Sequence, residues 1–137
     1  MITLKGLRRA PLQRIFDQAA RHLLTQNKQS LSERLKGASL CRYRNESGDK
    51  CAVGCFISDD EYHPSMEGQS SNVLTDKFNI NWDRQALLGD LQLLHDAHQP
   101  HVWPEKLKKL AKKHKLKFSK KNLTHSQKKR KLPSHKI

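Results

Sequence analysis

The sequence predicts a small α+β domain, with helices packed on a short β-hairpin and a basic C-terminal helix that continues into a flexible arm. Three observations predict it. Apolar residues recur at helical spacing in three separate segments, two strand-like runs flank a turn-rich tetrad, and positive charge is confined to one end of the chain. At 137 residues the chain suits one domain. We place the compact part at residues 1–116 and a lysine-rich flexible arm at 117–137.

The elements follow in order. "PLQRIFDQAARHLL" sets Leu12, Ile15, Phe16, Ala19, Leu23 and Leu24 on one helical face, with Pro11 suited to the first turn and an end near Gln26 or Asn27. "SLCRYRNESGDKCAVGCFI" reads as two strands around Asn45, Glu46, Ser47 and Gly48, residue types that tolerate turn dihedrals. Ser58 and Glu61 match a capping box for a short helix or turn, which Pro64 and Gly68 end. The stretch from Ser65 to Asn81 looks like short turns with one helical turn around Val73 and Leu74, and its periodicity does not decide the matter. "NWDRQALLGDLQLLHDAH" is a helix capped by Asn81 and stopped by Pro100, with Leu87, Leu88, Leu91, Leu94 and His95 in one stripe. A last helix starts at Pro104 and turns Trp103, Leu107, Leu110, Ala111 and His114 inward.

Charge carries the functional expectation. The 33 residues from Glu105 to Ile137 hold 14 of the 27 basic side chains and one of the 13 acids, leaving 13 basic and 12 acidic residues in the other 104. Such a tail attracts polyanions, because each lysine that neutralises a phosphate releases a condensed counterion. Thirteen of the 14 are Lys, and Arg130 alone offers the forked guanidinium that reads base edges. Phe118 is the segment's only aromatic ring past Trp103, too little for a base-stacking platform. The expected mode is backbone contact with DNA, RNA or a ribonucleoprotein, without sequence readout. The residues expected to carry it are Lys106, Lys109, Lys112, Lys113, Lys117, Lys120, Lys121, Lys128, Lys129, Arg130 and Lys131. The bland reading is a solvated lysine face that serves solubility.

The start of the chain lacks the apolar stretch of a secretory signal, and no apolar run is long enough to span a membrane. A reducing, cytoplasmic setting follows as the expectation, with Cys41, Cys51 and Cys55 as free thiols packing a hairpin face. Their C-x9-C-x3-C spacing lacks the two tight pairs of a structural zinc site, so neither metal nor cofactor is expected. The metal candidates to weigh are Cys41, Cys51, Cys55, His95 and His98. A cysteine nucleophile served by His95 and Asp96 is disfavoured by the acids after Cys55, and because residues 95 and 96 should project about 100° apart on a helix. The protein is therefore expected not to be an enzyme.

Four motifs, "CRYRNESGDKCAVGCFISDDEY", "MEG" at Met66 to Gly68, "LQLLHD" at Leu91 to Asp96 and "WPEKLKKLAKKH" from Trp103, resemble those of small proteins of tailed phages and prophages. The resemblance covers roughly residues 12–116 and stops short of the arm. It implies a phage accessory protein made inside a bacterial host cell, and implies no catalytic residue or ligand. The leading expectation is thus a non-enzymatic phage protein that holds nucleic acid or a nucleoprotein through its C-terminal lysines. The alternative is a protein-directed inhibitor of a host enzyme or defence complex; a zinc-binding or Cys/His enzyme stands third.

Overall fold

A computed structural model describes residues 1–32 and 41–118. Five α-helices are present among them: α1 (Leu4–Leu7), α2 (Leu12–Gln26), α3 (Ser71–Lys77), α4 (Trp82–Ala97) and α5 (Trp103–Lys113). The helices α2, α4 and α5 pack on one another, α3 lies against α4, and the first of three short 3-10 turns among these residues, Gly54–Phe56, lies against α2.

The three long helices form where periodicity places them. In α2 the apolar face of Ile15, Phe16, Ala19, Ala20, Leu23 and Leu24 is buried, and Asn27 ends the helix in a left-handed conformation at φ 51°, which asparagine tolerates. In α4 the Asn81 side chain accepts from the Arg84 amide, and Leu87, Leu88, Leu91, Leu94 and His95 are all buried. In α5 Trp103, Leu107, Leu110 and Ala111 face the core. Each large apolar side chain enclosed here contributes about 1.5–3 kcal/mol.

The expected α+β class is overturned. The fold is helical, and among the described residues the only β pairing consists of two isolated bridges, Leu31 with Cys41 and Arg44 with Lys50. Side chains occupy the backbone donors that a partner strand would have needed. The Glu67 carboxylate accepts the amides of Tyr43 (2.9 Å) and Arg44 (3.1 Å), and Gln26 Oε1 accepts that of Lys50 (2.9 Å). The turn itself forms as expected, with Asn45 Oδ1 accepting the amides of Ser47 and Asp49. Beyond it the chain coils at once into the turn Gly54–Phe56 rather than extending. Cys51 and Cys55 therefore sit on a helical turn, the Cys55 amide donating to the Cys51 carbonyl at 3.2 Å.

Two more elements are completed by the structure. Glu61 does accept the Ser58 amide at 3.0 Å, but the same carboxylate also accepts the amides of Leu4 and Lys5 and so caps α1 from 56 residues away. Burial pushes the Glu61 carboxyl up, yet these amides outweigh it and hold the group below its ordinary value. The segment around Val73 and Leu74, which periodicity left undecided, is a helix of seven residues capped by Ser70 Oγ. No helix among the described residues is long and apolar enough to cross a membrane.

Candidate nucleic-acid interface and the cysteine cluster

Helix α5 presents its basic residues as one surface because its apolar residues are already committed to the core. At about 100° per residue the buried positions 103, 107, 110 and 111 share one side, Lys108, Lys109, Lys112 and Lys113 spread over the rest of the surface with Glu105, and the half-buried Lys106 flanks the apolar stripe. Lys108 belongs to this face as fully as its neighbours, although the charge pattern alone did not single it out. Two of the five are engaged: Lys113 pairs with Asp90 at 2.9 Å, and Lys109 pairs loosely with Glu105 at 3.8 Å. Lys108 and Lys112 are exposed and make no ion pair among the described residues. Burial pushes the Asp90 carboxyl up, but hydrogen bonds from Lys113 and His114 more than compensate and hold it low.

After α5 the chain turns at Lys115, whose φ is 58°, and runs onto the first turn of α2. The side chain of Gln13 donates to the Lys117 carbonyl (2.8 Å) and accepts the Lys117 amide (2.9 Å), while Phe118 meets Phe16 edge to face. Lys117 is thus tied to the domain by its backbone with its side chain in solvent. Lys120, Lys121, Lys128, Lys129, Arg130 and Lys131 lie outside the described residues.

Of the metal candidates, the fold brings together a set that spacing did not suggest. Cys41, His95 and Asp96 each place a potential ligand atom within 4.8 Å of the others. Cys51 and Cys55 are elsewhere: Cys51 Sγ accepts the Gly54 amide, and Cys55 Sγ–H donates to the Ala52 carbonyl. His98 is outside the cluster, its carbonyl accepting from Gln29 and Trp103.

The proton positions decide what this cluster can do. Contrary to the sequence expectation, Asp96 does reach His95, at 2.7 Å from Nδ1, because the imidazole edge extends sideways to the next residue's carboxylate. On its other side the ring's Nε2 accepts the Ser30 amide at 2.9 Å, so the ring carries its proton on Nδ1 and donates it to Asp96. Asp96 also accepts from Gln92 Nε2 and from the Cys41 thiol. His95 is fully buried and stacks on Trp103.

This arrangement is a hydrogen-bonded knot around a carboxylate. The lone pair that a general base would use is occupied by a backbone amide, and a metal on Nδ1 would drive the ring proton onto Nε2, against the Ser30 N–H. Burial, then the Asp96 charge, pushes the Cys41 thiol up to about 12, the reverse of what an attacking thiolate needs. Burial likewise pushes up the thiols of Cys51 and Cys55.

The neighbouring polar network does the same for the "CRYR" segment. Glu67 takes the Tyr62 hydroxyl at 2.8 Å as well as the amides of Tyr43 and Arg44; Arg44 lies 4.4 Å over the Tyr62 ring and pairs with Asp59 at 3.0 Å. The sequence motifs thus converge on structural bonds.

No protein-family model matches the chain, and no curated protein or solved structure matches it either.

Proposed function

We propose that this chain is a non-enzymatic binder of nucleic acid or of a nucleoprotein, and that it holds phosphate backbone without sequence readout through the lysine face of α5. In the phage-infected cell that the sequence motifs suggest, DNA, RNA and ribonucleoprotein are all abundant polyanions. The observation that carries the reading is the exposure of Lys108 and Lys112 on a helix whose opposite side is anchored by Trp103, Leu107, Leu110 and Ala111. Holding unpaired ammonium groups together on a packed helix costs self-repulsion that a phosphate backbone relieves.

The test is binding of the full chain to duplex DNA, single-stranded DNA and structured RNA across a salt series. The comparison is a variant with Lys106, Lys108, Lys109 and Lys112 all changed to Gln. If about six lysines meet duplex phosphates, log K against log salt slopes about −5, and the four substitutions flatten it by about 3 to 4. Equal loss on all sequences supports backbone contact. A changed sequence preference, or an unaltered slope, sinks the proposal.

A second reading has its own observation. Trp82 is 78% exposed and Leu93 63% exposed, and at eleven residues apart they share the outward side of α4. Tryptophan is enriched among the residues that anchor protein interfaces, which favours a protein-directed inhibitor that uses the nearly neutral body. A complex from infected cells that survives nuclease and is lost in Trp82→Ala supports it.

A further inference from the structure

The charge balance of the body conceals a local excess. A cleft of about 760 Å³ opens beside α2, and Arg14, Arg21 and Lys50 in its lining face a single carboxylate, Asp17. Arg14 and Arg21 are seven residues apart on α2, so they project from the same side about 10 Å apart along the axis, within reach of one ligand by their long side chains. Gln18 fixes the opposite wall by accepting the Ile2 amide (2.7 Å) and donating to the Ile2 carbonyl (2.9 Å). Lys50 is held by its backbone: its carbonyl accepts from Gln26 and from His22 Nε2, each at 2.8 Å.

We infer that this cleft is a phosphate-binding site, with Arg14, Arg21 and Lys50 as its cations, and that it takes the phosphate of a nucleotide or of a nucleic-acid strand. Guanidinium forks match phosphate oxygens two at a time, which the lysines of α5 cannot do. The volume is that of a site for a small molecule rather than for a duplex. Its position joins it to the α5 surface. The Gln13 bonds to Lys117 and the Phe118 contact with Phe16 bring the chain onto the first turn of α2, where Arg14 follows Gln13. Where the phosphate belongs to a strand, the inference rests on the proposed nucleic-acid reading; a free nucleotide would need only the cleft.

His22 supplies an independent readout. Burial, with the Lys50 charge nearby, holds the imidazole below its ordinary value, while its hydrogen bond to the Lys50 carbonyl and the Asp49 charge pull the other way. A phosphate anion beside it must raise that value.

The experiment follows His22 by NMR titration in the full chain with inorganic phosphate, thymidine 5′-monophosphate and a short oligothymidylate, and measures oligomer affinity alongside. One variant carries Arg14→Gln with Lys50→Gln, and another Lys108→Gln with Lys112→Gln. The inference holds if bound ligand raises the His22 titration in the native chain and the α5 variant but not in the cleft variant, with affinity in the cleft variant reduced about tenfold or more. If thymidine 5′-monophosphate moves His22 while the α5 variant binds the oligomer like the native chain, the cleft stands and the lysine reading falls. If the α5 variant alone weakens binding and His22 is silent to all three ligands, the cleft inference is overturned while the lysine reading stands.

Discussion

Gly54 packs directly on the carbonyl of Tyr43: a Cβ at position 54 would lie 2.0 Å from that oxygen and 3.0 Å from its carbon. Both partners are backbone, so neither has a side-chain rotation with which to retreat. The contact explains why glycine stands between Val53 and Cys55, and it locks the turn Gly54–Phe56 onto the segment that holds Cys41. Gly54→Ala is expected to destabilise the fold by about 3 kcal/mol or more, read as a lowered denaturant midpoint. A midpoint within error of the native value would refute the close approach.

Glu67 is the second clamp on the same segment. Its truncation to Ala strands the amides of Tyr43 and Arg44 and the Tyr62 hydroxyl in a partly buried place. A loss of about 2 to 4 kcal/mol is expected by chemical denaturation, with Glu67→Gln intermediate because one acceptor oxygen survives.

The thiol of Cys41 should alkylate far more slowly at pH 8 than an unperturbed thiol, because only the thiolate reacts and burial and Asp96 hold it protonated up to about 12. Removing the charge with Asp96→Asn is expected to raise the alkylation rate, with mass spectrometry identifying the residue. Rapid labelling of Cys41 in the native chain would reopen the nucleophile reading.

Stability should fall on mild acidification. His22 has a folded value below its ordinary 6.5, so the unfolded chain binds the proton first; its contribution is complete above 6.5 and is lost as pH falls through the lowered value. Asp90 and Glu61, held below their ordinary 3.8 and 4.5, lose theirs lower still, as pH falls through their folded values. Thermal melts between pH 7 and pH 5 should therefore decline in the native chain. They should decline less in His22→Gln, whose amide can still donate to the Lys50 carbonyl.

What the sequence by itself determined is whatever depends on local periodicity and composition. The three long helices, the Asn81 cap, the Asn27 stop and the buried stripe of Leu87, Leu88, Leu91, Leu94 and His95 are set by neighbours within a few residues of one another. The concentration of lysine at one end is likewise read directly from the chain. The β-hairpin failed because strand pairing is decided by where backbone donors find acceptors, and here Glu67 and Gln26, both beyond the hairpin, supply them. The same applies to the cluster of Cys41, His95 and Asp96, which spans 55 residues, and whose chemistry turns on the amide of Ser30. Nothing in the sequence singles out Arg14, Arg21 and Lys50, which packing places around one cleft. Only the tertiary structure decided these, since sequence pattern reports which face is apolar and not which distant polar atom completes a bond.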